Sequence, residues 1–255
     1  MPNLRSRDQG DSPEVSAYLP IPGLWLDVTS VYHLVEAAGS TREDSVGANT
    51  LTEITGTLPN TDGHIDGACL EGEGTANRIL RNEVGNGAII AENQLSAPSF
   101  AISFWFLAAT IPSTAETMLG QSILIGADIQ FAVKLSTFGV ALWASDGSGL
   151  ESTPIFSSAF RPPTVDKWHH VAAWCDAGDL HVLYDGGVQQ KSSLAAIAGT
   201  GATARPFSIM GDSDTFVAMP AGTLIDEVNV WADRAFRPGE VTYLWNNGNG
   251  RKYPR

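Results

Sequence analysis

From Leu24 onward, short runs rich in Val, Ile, Phe, Trp and Leu alternate with clusters of Gly, Asp, Asn, Ser and Pro. That alternation is the signature of many short antiparallel strands. The clearest runs are FAISFWFLA, QSILIGA, IQFAVKLS, FGVALWAS, HVAAWCD, LHVLYDG, RPFSIMG and LIDEVNVW. They recur at no fixed period and do not alternate with helical patterns, so two packed sheets are expected rather than an α/β fold. One helix is signalled near the end. Pro238 suits its first turn, Glu240 the positive end of its dipole, Val241, Leu244 and Trp245 form an apolar stripe, and Gly248 can stop it.

The stretch WHHVAAWCDAGDLHVLYDGG predicts a hairpin turning at Asp176–Asp179, with Cys175 opposite Leu180, Trp174 opposite His181, Ala173 opposite Val182 and Val171 opposite Tyr184. One face then carries Val171, Ala173, Cys175, Leu180, Val182 and Tyr184 toward a core. The other carries His170, Ala172, Trp174, His181 and Leu183. Neighbouring residues on a strand point to opposite sides, so His169 and His170 cannot chelate one ion without a bulge. The second face is too apolar to be left to water. It should be covered by the segment from Gly47 to Leu95, by the N-terminal arm, by another subunit or by a ligand, which makes Trp174, His181, Leu183 and His170 the candidate ligand or interface residues.

With 255 residues the chain is long enough to bury a core without staples. Cys69 and Cys175 would pair only if their strands were neighbours, and buried thiols are the simpler expectation. Fifteen basic residues against 28 acidic ones give a net charge of −13. Such a charge repels phosphate backbones and anionic lipid surfaces, so neither nucleic acid nor membrane is an expected partner. The apolar runs are shorter than the ~20 residues a bilayer requires. Residues 1–22, interrupted by Asp8, Asp11, Glu14, Pro20 and Pro22, read as a flexible or docked arm rather than an export signal, with the folded domain at 23–255.

Five blocks in order resemble the laminin-G-like domains of the concanavalin A-like jelly-roll family: LVEAAGSTREDSVGANTLTE, GHIDGACLEGEGTANRI, SFAISFWFLA, KWHHVAAWCDAGDLHVLYDGG and GTLIDEVNVWADRAFRPGEVTYLWNNGNG. The resemblance implies an all-β, antiparallel two-sheet jelly-roll sandwich with one short C-terminal helix. It also implies a structural calcium ion, with Asp44 of the Asp-Ser-x-Gly turn and Asp226 of the closing strand as its ligands. Val35 stands where many relatives have an aspartate, which removes one ligand. On alternation Asp226 shares a face with Val228 and Val230 and should point into the core, where a cation would relieve an unpaired carboxylate.

Family functions range from glycan binding and adhesion to display and polysaccharide cleavage. Cleavage needs two carboxylates on one strand face. The best pairs, Glu71 with Glu73 and Asp212 with Asp214, lie in turn-like sequence, and no Gly-x-Ser-x-Gly elbow is present. The expected function is therefore non-enzymatic: a surface-displayed binding protein, such as a phage virion decoration or tail-associated protein, with affinity for a glycan or host surface. A secreted carbohydrate-binding module and a jelly-roll enzyme are the alternatives. The expected partners are a glycan, a capsid or tail protein docking through the arm, and further copies in a homo-oligomer, at a virion or extracellular surface. On this reading Trp174→Ala weakens binding and costs little stability.

Overall fold

The computed structural model describes residues 23–39, 41–54, 56–65, 69–72, 74, 79–82, 99–121, 131–144, 155–156, 162–177, 179–187, 190–193, 206–212 and 218–254. The expected arm at 1–22 lies outside them. So do most of QSILIGA and the side chain of Cys69.

The strands are β1 Ser30–Tyr32, β2 Leu51–Ile54, β3 Asn60–Thr61, β4 Cys69–Glu71, β5 Ile79–Asn82, β6 Ser99–Leu107, β7 Glu116–Gln121, β8 Phe131–Ser136, β9 Gly139–Ala144, β10 Ile155–Phe156, β11 Trp168–Asp176, β12 Asp179–Tyr184, β13 Gln190–Ser193, β14 Ser208–Ile209 and β15 Leu224–Trp231. One sheet has the order β13-β12-β11-β6-β15-β4-β3, with β1 also pairing with β15. The other runs β10-β9-β8-β7-β14-β5-β2. Pairing is antiparallel throughout the described ladders. Among the described residues no helix is long and apolar enough to cross a membrane.

Between the sheets lies one continuous core that includes Phe100, Ile102, Phe104 and Phe106 of β6, Val171, Ala173 and Cys175 of β11, and Phe131, Val133 and Leu135 of β8. Alternation along β6 and β11 puts every second residue here, which is why these nine-residue strands are legible in sequence. The β11–β12 hairpin has the expected register, from Val171 opposite Tyr184 to Asp176 opposite Asp179. Cys175 is a buried thiol, and β6 and β15 stand between its strand and that of Cys69.

A second, smaller core sits on the outer face of the first sheet. Ala101, Ala172, Trp174 and Trp231 are covered there by Leu24, Val28, Phe236, Val241 and Leu244. The cover over the apolar hairpin face is thus the corner and helix that follow β15, together with the first residues of the domain. At the His170 end of that face His64, from the segment between Gly47 and Leu95, also contributes, lying against Trp105 and Trp168. The helix, α1, spans Glu240–Trp245 and starts two residues after Pro238, because Gly239 adopts a φ of 87° that no helical residue takes. Asn246 in the left-handed region ends it, ahead of a 3₁₀ turn at Asn246–Gly248.

The turn after β12 explains its Asp-Gly. Gly186 has a φ of +63°, and a Cβ there would stand 2.5 Å from the Trp245 ring. Gly186→Ala is expected to cost about 2 kcal/mol or more, combining the left-handed backbone penalty with displacement of the indole, and to lower the melting temperature accordingly.

Candidate functional site

β15 carries one residue more than β6 across its middle. Asp226 pairs with Trp105 and Asn229 with Ser103, with a register shift between them. Glu227 takes up the extra residue at a φ of 48°. This bulge reverses the parity that alternation predicted. Ile225, Val228 and Val230 face the core, while Asp226 shares the outer face with Trp105. There its Oδ2 accepts the backbone N–H groups of His64 and Ile65, each at 2.8 Å, while its buried Oδ1 has no hydrogen-bond partner among the described residues. Burial pushes the Asp226 carboxyl up to about 7, against the pull of the Ile65 N–H.

Asp44 is elsewhere. Its oxygens accept the N–H groups of Val31 at 3.0 Å, Val46 at 3.1 Å and Asn49 at 3.3 Å, and the Asn49 amide at 3.4 Å. Thr29 N–H bonds to Val230, whereas the N–H and C=O of Val31 are taken by Asp44 and Ser45, so β1 stands between Asp44 and β15. A Cβ at Gly47 would lie 2.6 Å from Asp44 Oδ2, which accounts for the Asp-Ser-x-Gly turn without an ion. N–H donors occupy both Asp44 oxygens and Asp226 Oδ2, β1 separates the two carboxylates, and among the described residues no three His, Cys, Asp or Glu converge on a metal position. The residues present do not fit a calcium ion shared by Asp44 and Asp226. A chelator is expected to leave the melting temperature unchanged; a fall that added calcium restores would contradict this geometry.

The described histidines are engaged in the fold. His33 Nδ1 meets Glu227 at 2.7 Å, and His64 Nε2 meets the Gly248 carbonyl at 3.0 Å. His169 lies between Asp185 Oδ2 at 2.7 Å, the Tyr184 hydroxyl at 2.6 Å and the Thr164 carbonyl at 2.8 Å. His170 is fully buried against Ser103 Oγ at 2.8 Å and beneath Trp105. Burial lowers its pKa to about 3. It therefore belongs to the fold and does not reach a ligand.

Trp174, His181 and Leu183 do come together. The Trp174 and His181 rings stack with centroids 4.9 Å apart and planes 7° from parallel, as their cross-strand register dictates. Phe236 meets Trp174 edge-on at 5.6 Å. Behind it, buried Glu240 accepts the Arg237 N–H at 2.7 Å and pairs with Arg234 at 2.7 Å, fixing the corner that leads into α1. Between this corner and the hairpin runs a groove of about 400 Å³, with Asp176, Arg237 and Thr242 at its rim and Leu183 and Val241 along its walls. The corner was not foreseen as part of a site, since ADRAFRPG carries only turn and helix-start signals. Of the carboxylate pairs, Glu71 is half-buried on β4 and Asp212 is buried. Glu73 and Asp214 lie outside the described residues.

The two antiparallel sheets of a jelly roll define the class. The chain belongs to the concanavalin A-like lectin/glucanases superfamily, whose Laminin_G_3 family model matches residues 82–242. No curated protein matches it. Among solved structures it is similar to domain 4 of AbnA, an extracellular GH43 arabinanase from Geobacillus stearothermophilus, in complex with arabinotriose. Identity is 19%, TM-score 0.58, and the match covers 88% of this chain and 98% of that one. The binding domain of botulinum neurotoxin DC in complex with SialylT matches at 13% identity and TM-score 0.57, over 86% of this chain and 51% of that one. Trypanosoma rangeli sialidase in complex with the inhibitor DANA matches at 14% and 0.57, over 87% and 33%. The chain thus spans about half and a third of the last two. At these identities the likeness is one of fold.

Proposed function

We propose that the chain is a glycan-binding module that holds a sugar in the groove between the β11–β12 hairpin and the corner before α1, and does not act on it chemically. The observation that carries this reading is the groove itself, an apolar floor built on the Trp174–His181 stack with a carboxylate, a guanidinium and a hydroxyl at its rim. Sugar sites need that combination, because one ring face is C–H-rich and the edges are hydroxyls. Two of the similar structures were solved with arabinotriose and SialylT bound, which agrees with a sugar-binding use of the fold.

Against catalysis stand the carboxylates that strand geometry could have aimed at a substrate. Asp226 is held by two N–H groups, Glu227 by His33 and Asp185 by His169. Among the described residues lining the groove Asp176 is the single carboxylate, whereas glycoside cleavage requires a pair flanking the scissile bond. The test is a glycan panel read by direct binding and by reducing-sugar release, with Thr242→Trp, at an exposed position of the rim, as the variant that fills the groove. Binding lost in the variant and no sugar released is the expected result. Release of reducing sugar, or binding that ignores Thr242→Trp, would overturn the proposal.

A further inference from the structure

The groove's charged rim narrows the class of ligand. Asp176 is an exposed carboxylate at the end of β11, and Asp179 stands directly opposite it in the hairpin register. From the other wall, the corner before α1, the exposed Arg237 contributes one guanidinium. The groove's described lining thus holds one carboxylate and one guanidinium, on a chain of net charge −13, and has no excess of positive charge to draw in an anion. An ionised carboxylate only accepts hydrogen bonds and a guanidinium only donates them. A hydroxyl does both. Two adjacent hydroxyls can therefore give their protons toward Asp176 while their oxygens accept from Arg237, an arrangement in which each charged group is matched and each bond is charge-assisted.

The floor agrees. Half-buried Leu183 and the narrow exposed edges of Trp174, Phe236 and Val241 offer carbon to the C–H face of a ring, and Thr242 adds one hydroxyl at the edge. A volume of about 400 Å³ lies near the lower end of the roughly 300–1,000 Å³ that small-molecule sites span. That suits one or two rings at a chain end rather than a long segment.

We propose, resting on the glycan reading of this same site, that the groove takes the neutral terminus of a glycan and recognises a pair of adjacent hydroxyls between Asp176 and Arg237. Acidic sugars, whose carboxylate would meet Asp176, are discriminated against.

The experiment is calorimetric titration of the intact chain with neutral arabino-, gluco- and galacto-oligosaccharides and with sialylated and uronic counterparts, for wild type, Asp176→Asn, Arg237→Gln and Thr242→Trp. All three substitutions are at exposed positions, and a melting curve for each verifies folding. A neutral oligosaccharide should bind. Asp176→Asn and Arg237→Gln should each weaken it at least tenfold, Thr242→Trp should abolish it, and methylating the hydroxyl pair should do the same. If an acidic glycan binds instead, is lost with Arg237→Gln and is unharmed or tightened by Asp176→Asn, the neutral class is wrong while the groove remains a glycan site. If a neutral glycan binds and none of the three variants changes its affinity, the groove is not the site. If neither kind binds, the inference falls together with the proposed function.

Discussion

Trp174→Ala is expected to destabilise the domain by about 3 kcal/mol, the low end of what truncating a buried aromatic costs. The indole is 7% exposed, stacked on His181 and closed by Phe236. Removing it leaves a hole between the hairpin and the corner before α1, and unseats a second core that also depends on Trp231 and Leu244. The loss stays at the low end because the groove already opens on one side of the ring, so solvent can enter part of the void. Urea denaturation should show a lower midpoint with an unchanged slope. This reverses the expectation from sequence, which treated Trp174 as an interface aromatic whose loss stability would hardly register. A variant as stable as wild type would show that the C-terminal cover does not bury the ring in solution.

What the sequence made legible, and what it did not, follows from the range over which each feature is decided. The hairpin register was readable because alternation and a four-residue turn are local, and β6 and β11 because nine residues of period two leave no other reading. β7 was not, since ETMLGQ mixes a charge and a glycine into the strand and carries a register shift between Thr117 and Leu119. The orientation of Asp226 was misread for a sharper reason. A single extra residue, Glu227, inverts every face assignment before it relative to those after it, and Glu at a positive φ has no sequence signal. The groove was half legible: its strand wall follows from alternation, but its other wall is brought there by contacts of Trp231 and Arg234 with the Leu24 carbonyl, across more than two hundred residues.

The bulge has a consequence for pH. Asp226, with its carboxyl raised from an ordinary 3.8 to about 7 by burial, binds a proton more tightly in the folded than in the unfolded chain. Its contribution to stability is therefore fully present below about pH 4 and is lost as pH rises through 7. His170 works in the opposite sense. Burial lowers it from 6.5 to about 3, so the unfolded chain takes the proton first, and stability is lost as pH falls below about 6.5. Between pH 4 and 6.5 the two slopes oppose one another, each limited to about 1.4 kcal/mol per pH unit. Asp226→Asn keeps an oxygen for the His64 and Ile65 N–H groups and removes only the titration. Its stability relative to wild type should rise by about 3 kcal/mol between pH 4 and pH 7, since most of three pH units of proton linkage are deleted. Groups common to both proteins, His170 among them, cancel in that difference. Parallel denaturation curves across the pH series check it: a difference that stays constant would mean that Asp226 is ionised throughout, held by its two N–H donors in spite of burial.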